Sequence, residues 1–414
     1  MILSQTYHIV RKNNMTDVIA TYYFRPKEGI TPDWAAKAIA QEQTTGTWTE
    51  ISTIQNYVHY LDGQVGEITP QGAGFTCSIT YPSEIFEPGN IPQYLSVIAG
   101  NLFGLSKIAA VRLIDVEFSQ EIVPFKGPKY GIEGIRKLAG TTDRPHVGTI
   151  IKPKVGLNPK DTAEVAYEAA MGGVDLIKDD ETLTDQKFCP LNERLPLIME
   201  QLDRVKSETG RNVLYAVNIS TAGDRIVGRA REAVRMGANM LMIDAIVCGF
   251  DAIRAVAEAP GIALPIHVHR AMHAAITRNP EHGIAMRPFC RLIRMLGGDQ
   301  LHTGTVSGKM EHDITELRGD NLALTEPFFN LKSTFPVASG GLHPGGVDKE
   351  VRMLGRDIIL QAGGGIHGHP DGTRAGAAAM RQAVDAAISG IPPATYAEDH
   401  PELKRALDKW GIAN

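Results

Sequence analysis

From residue 146 onward the chain repeats one pattern, in which short apolar runs alternate with stretches of helical periodicity. The runs are His146–Ile151, Val174–Ile177, Val213–Asn218, Met240–Ile246, Leu264–Val268, Gln300–Thr305, Thr334–Ala338 and Asp357–Ala362. Helical periodicity marks Thr162–Met171, Arg194–Thr209, Arg225–Met236, Ile284–Leu296, Val347–Leu354 and Arg374–Ile388 between and after them. Eight β-then-α units in roughly 250 residues predict a (β/α)8 barrel. The competing architecture is an open, doubly wound sheet. The count of eight and the lack of a glycine-rich dinucleotide turn after the first run favour closure. A helix over Pro401–Trp410 is expected on the barrel exterior.

Residues 1–125 read differently. Asp17–Arg25, Phe75–Tyr81 and Val111–Phe118 have strand character, and Asp33–Gln41 and Asn90–Phe103 helical character. This mixture predicts a smaller α+β domain ahead of a barrel domain at 126–414, joined by a linker over Pro124–Gly131. With 414 residues, 43% of them hydrophobic, the chain can build both cores. Its net charge of −5 leaves no basic footprint for nucleic acid. Cys77, Cys189, Cys248 and Cys290 are scattered, which indicates neither a disulfide framework nor a thiolate metal site. No apolar run reaches membrane-spanning length and no signal peptide opens the chain, so a cytoplasmic protein with no membrane partner is expected.

Barrel chemistry gathers at the C-terminal ends of the strands. Here those ends carry Lys152 and Lys154, then Lys178, Asp180 and Glu181, then His267, His269, Arg270 and His273. His302 follows, with Lys309 on the next loop, and the last two strands end in Ser339-Gly340-Gly341 and Gly363-Gly364-Gly365. One lysine or histidine at a strand end is often structural, but ionisable groups at strand after strand call for a site. The two glycine clusters suit a phosphate held by backbone N–H groups. Arg270 and His302 suit a second anion across the barrel mouth. Asp180 and Glu181 are oxygen ligands appropriate to Mg2+. Lys178, two residues before Asp180, points to the same side. It forms a buried ion pair with these acids, or reacts with CO2 to give a carbamate, a third oxygen ligand.

At this point the chain resembles the large subunit of ribulose-1,5-bisphosphate carboxylase/oxygenase, RuBisCO. The resemblance rests on Thr45-Gly46-Thr47-Trp48-Thr49, Gly100-Asn101-Leu102-Phe103-Gly104, Lys152-Pro153-Lys154, Lys178-Asp179-Asp180-Glu181, His269-Arg270-Ala271-Met272-His273, Leu301-His302-Thr303-Gly304-Thr305, Gly308-Lys309-Met310-Glu311, Ser339-Gly340-Gly341 and Gly363-Gly364-Gly365. It extends over nearly the whole chain and is most like the archaeal type, form III. It implies that carbamylated Lys178 holds Mg2+ with Asp180 and Glu181. Lys152 would move protons with support from Lys154, His269 would be a further proton carrier, and Lys309 would steady CO2. Arg270, His302 and Ser339 would bind one end of a sugar bisphosphate, Thr47, Trp48, Gly341, Gly363 and Gly364 the other, and Gly340 would also be a substrate-binding residue. Glu42 and Asn101 would reach a partner subunit's barrel, making the working unit a homodimer or an oligomer of dimers, without a small subunit.

The chain departs from the usual pattern at Gln43-Thr44, where paired serines are common, at His312, where glycine normally follows the loop glutamate, and at Ile366-His367, where Thr-Leu is usual. The alternative within the resemblance is a RuBisCO-like enolase, isomerase or decarboxylase acting on another phosphorylated keto sugar or sugar acid.

Overall fold

A computed structural model describes residues 17–47, 49, 51–308 and 313–413. The chain divides into two units, one running through Pro124 with Ile276–Pro288 added, the other comprising Phe125–Ala275 and the chain from Phe289 onward.

The first unit is a mixed sheet with helices. Strands β1 (Val18–Pro26), β2 (Gln64–Gln71), β3 (Gly74–Tyr81) and β4 (Ile108–Glu117) pair antiparallel in the order β4-β1-β3-β2. Helix α1 (Pro32–Glu42) starts where the Thr31 side chain accepts from Trp34 N and buries Ala35, Ala36, Ile39 and Ala40. Helix α2 (Ile91–Ala99) is capped by Asn90 and stops at Gly100, and a 3-10 turn covers Asn101–Gly104. The single helix expected over Asn90–Phe103 is therefore broken in two. Sequence patterning also missed β2, which is mostly exposed and has no apolar alternation.

One expectation about domain organisation is corrected. Ile276–Pro288, expected within the barrel domain, belongs to the first unit. Gly283–Ile284 forms β10, parallel to β4, and Arg25 pairs with Glu281 at 2.9 Å. These bonds tie the segment to β1 and β4 despite its place in the sequence.

In the second unit eight parallel strands close into a barrel. They are β5 (His146–Ile150), β6 (Leu176–Lys178), β7 (Leu214–Asn218), β8 (Met240–Asp244), β9 (Ile266–His269), β11 (Gln300–His302), β12 (Phe335–Ser339) and β13 (Ile359–Gln361). Around them lie helices such as α4 (Pro159–Met171), capped by Asn158, and α5 (Leu191–Thr209), ended by Gly210 at φ 73°. The C-terminal helix Pro401–Trp410 packs on the helix Gly372–Ser389. Among the described residues, no helix is long and apolar enough to cross a membrane.

Helix α3 (Gly131–Ala139) was not foreseen. It presses Ile132 and Ile135 onto Leu176, Leu214, Met240, Phe335 and Ile359, which open their strands. The helix thereby plugs the N-terminal end of the barrel and leaves chemistry to the opposite end. Buried Asp299 fastens it: one oxygen accepts from Tyr130 N at 2.7 Å and Gly131 N at 2.9 Å, the other from Ile266 N at 2.9 Å. Asp299→Ala orphans these three donors and is expected to lower unfolding free energy by roughly 2–4 kcal/mol. A urea midpoint unchanged from wild type would show the plug held by other contacts.

Candidate active site

The charged set expected at the strand ends converges at the C-terminal end of the barrel. Lys152, just past β5, donates to Asp180 at 2.7 Å. Lys154 donates to Glu181 at 3.1 Å and lies 3.9 Å from Asp180. Lys178 ends β6, is fully buried, donates to its neighbour's carbonyl, Asp179 O, at 2.9 Å and lies 3.7 Å from Glu181. His269 lies 3.7 Å from the same Glu181 oxygen. Its Nδ1 meets Asp244 at 2.8 Å, so an N–H there leaves Nε2 with its lone pair toward the site.

The electrostatics are uneven. Burial pushes the Lys178 amine below its ordinary value, against the pull of Glu181, Asp180 and Asp244. Burial would raise Glu181, but His269 and Lys178 outweigh it and bring the carboxyl down to about 2. Burial and Lys178 also push His269 down, opposed by Asp244. The result is a desolvated amine beside an ionised carboxylate, with a neutral imidazole at hand.

Further residues follow the strands at the same end of the barrel. Arg270 is buried, and burial lowers it to about 10, which leaves it charged at neutral pH. His302 Nδ1 meets Ser339 Oγ at 2.5 Å. Gly340 and Gly341 follow at φ 126° and 91°, a region that favours glycine. A Cβ on Gly363 would come within 3.0 Å of Lys152 Cε, so glycine there lets the loop lie against the lysine. Gly364 opens a short helical turn, Gly364–His367. Glu42, Thr47 and Asn101 belong to the other unit, where α1 touches the turn Asn101–Gly104 and Gln43 donates to Val97 O. Trp48, Lys309 and His312 lie outside the described residues.

Several supporting residues were not legible in the sequence. Asp179 faces away from the site and is wholly buried. It accepts from Tyr215 Oη, from Arg194 Nη2 at 3.0 Å and from Asn218 N at 2.9 Å. Asn218 Nδ2 in turn reaches Asp180 O and Glu181 O at 3.4 and 3.2 Å. The Lys178–Glu181 segment is thus gripped from behind. Glu350 accepts from Val306 N and Ser307 N at 2.8 and 2.7 Å, anchoring the start of the loop after β11. His367 bridges Thr149 and Thr373, both at 3.0 Å, beneath the last glycine turn.

Matches to known proteins agree with this architecture. Residues 131–410 match the model "Ribulose bisphosphate carboxylase large chain, catalytic domain", and residues 8–122 match the corresponding N-terminal domain. The chain belongs to the ribulose bisphosphate carboxylase large-chain family. It is 44% identical to a ribulose bisphosphate carboxylase of Pyrococcus furiosus, covering 95% of this chain and 94% of that one. The counterpart from Methanocaldococcus jannaschii is 43% identical over 91% and 93% of the two chains. Among solved structures, a sulfate complex of the octameric Rubisco of Pyrococcus horikoshii OT3 superposes with a TM-score of 0.92 at 41% identity, over 97% and 95% of the chains. A dimeric archaeal Rubisco from Hyperthermus butylicus gives 0.90 at 40% identity, over 97% and 98%.

Among the described residues, no three His, Cys, Asp or Glu side chains are grouped to hold a metal. Two carboxylates, Asp180 and Glu181, stand here, and a Mg2+ ion held by them would need a further oxygen from elsewhere. Lys178 fits that requirement, because CO2 adds only to an unprotonated amine and burial favours that form.

Asp179→Ala strips a buried arginine of its counter-charge. We expect a loss of roughly 3–5 kcal/mol in stability, read by denaturant titration. Wild-type stability would mean that Arg194 is balanced by its hydrogen bonds to Cys189 O and Thr184 O alone.

Proposed function

We propose that this chain carboxylates ribulose 1,5-bisphosphate with Mg2+ through a 2,3-enediolate, giving two 3-phosphoglycerates, with O2 as competing gas. What carries the reading is the buried Lys178 amine against Glu181, ringed by Lys152, Lys154, Asp180 and His269. The family membership and the relatives' names support it.

Activation begins at Lys178. Its Nζ lone pair adds to the carbon of CO2, one N–H proton leaves to solvent, and an N-carboxylate remains. Lys178 as carbamate, Asp180 and Glu181 would then hold Mg2+. When bound, the ion supplies Lewis-acid polarisation of the substrate's carbonyl and hydroxyl oxygens. Loss of the C3 proton, to the carbamate or His269, gives the enediolate. Lys152 carries protons to the enediol and to the final product carbanion, and Lys154 adds positive potential beside it. Arg270, His302 and Ser339 hold one end of the bisphosphate, Thr47, Trp48, Gly341, Gly363 and Gly364 the other, and Gly340 also binds substrate. Lys309, on the loop after β11, steadies CO2 as it adds to C2 and closes over the site; one water then adds at C3, the C2–C3 bond breaks, and the carbanion left at C2 is protonated, which gives the two 3-phosphoglycerates. Glu42 and Asn101 serve a partner's barrel, so the working unit is a homodimer or an oligomer of dimers.

Incubation with ribulose 1,5-bisphosphate, Mg2+ and labelled CO2 is expected to yield labelled 3-phosphoglycerate, and Lys178→Ala to abolish it while the protein stays folded. Lys309→Ala is expected to impair carboxylation far more than solvent-deuterium exchange at C3. Exchange without any labelled product in the wild type would instead mark a RuBisCO-like enolase.

A further inference from the structure

Behind Ser339 lies a line of hydrogen bonds that the mechanism above does not use. Gln300 Oε1 meets His267 Nδ1 at 2.7 Å, His267 Nε2 meets His302 Nε2 at 2.8 Å, and His302 Nδ1 meets Ser339 Oγ at 2.5 Å. Strand pairing builds the line. Gln300 stands opposite His267 where β11 adjoins β9, and His302, two residues on, projects from the same face as Gln300. Gln300, His267 and His302 are all buried, and the Gln300 Nε2 has no partner.

Both imidazoles are neutral. Burial brings His267 down to about 3 and pushes His302 well below its ordinary value. A neutral imidazole has one N–H, so a donor at one nitrogen makes the other an acceptor. The proton order along the line is therefore all-or-none. With Gln300 Oε1 accepting from His267, every proton points inward and the Ser339 hydroxyl spends its hydrogen on His302. With the amide rotated, its NH2 donates to His267, every proton points outward, and Ser339 accepts from His302. Its own hydrogen is then free. The two ends of the amide are nearly isosteric, so rotation preserves the contact with His267.

We propose that Gln300 is a positioning residue that sets the direction of this line, and that its NH2, turned to His267, frees the Ser339 hydroxyl to donate to an anionic substrate oxygen. The inference rests on the reading of Ser339 as a substrate ligand. Phosphoryl and carboxylate oxygens offer only lone pairs, so a serine whose hydrogen is committed inward cannot bind them as a donor.

The direct test is 15N NMR of the full-length protein labelled at histidine and saturated with inorganic phosphate, with His302→Asn used to assign the signal. The expected result is a proton on Nδ1 of His302. A proton on Nε2 overturns the inference. This readout needs no turnover, so it decides the matter even if the chain fails to carboxylate. Kinetics supply the second arm. Gln300→Met removes the donor at similar volume and is expected to raise KM for ribulose 1,5-bisphosphate roughly 10-fold or more with little change in kcat. Gln300→Glu is expected to stay near wild type. Its carboxyl either donates a proton to His267 or pairs with an imidazolium, and both drive the line outward. A wild-type KM in the methionine variant, or a fall in kcat with KM unchanged, counts against the proposal.

Discussion

A lysine amine forced out of water is the constraint around which this molecule is organised. Lys178 ends a strand whose three residues are all buried, so its ammonium form loses hydration that Glu181, at 3.7 Å, only partly replaces. The same burial that makes it a poor cation makes it a good nucleophile toward CO2. In the proposed reaction, modification would convert a badly solvated positive charge into an anion facing two further carboxylates, an arrangement suited to a divalent cation. Structure and chemistry share one electrostatic problem here.

Holding that site takes more residues than performing its chemistry. Asp179 turns its back on the reaction and is bound by Tyr215, Arg194 and Asn218, while Asn218 clasps the carbonyls of Asp180 and Glu181. Just past the end of β6, Asp180 turns to Lys152 while Asp179 turns to Arg194 and Tyr215. The acid that looks redundant in the run of charges thus fixes the orientation of its neighbours. At the far end of the barrel, Asp299 does similar work for α3, and the plugged base leaves the strand C-termini as the reactive face.

Much of this was visible before any coordinates. Barrel strands buried on both faces read as apolar runs, and all eight appear near their expected places. The charged residues that follow them stand out because they interrupt those runs. Elements whose stability comes from distant partners were not legible. Strand β2 is polar and exposed, α3 follows a segment that reads as linker, and β10 is two residues recruited by β4 from within the barrel sequence. Gln300 likewise looks like an ordinary strand residue until pairing sets it beside His267.

What the linear chain determined by itself was periodicity and inventory: eight buried strands, a separate α+β segment, and lysines, acids, histidines and glycines at the strand ends. Those are local properties, set by solvation and backbone preference residue by residue. Only the tertiary structure decided which charges share one oxygen, which amine is dry, and which amide stands behind which imidazole. These depend on distances across the closed barrel and on exclusion of water, and no spacing along the sequence specifies either.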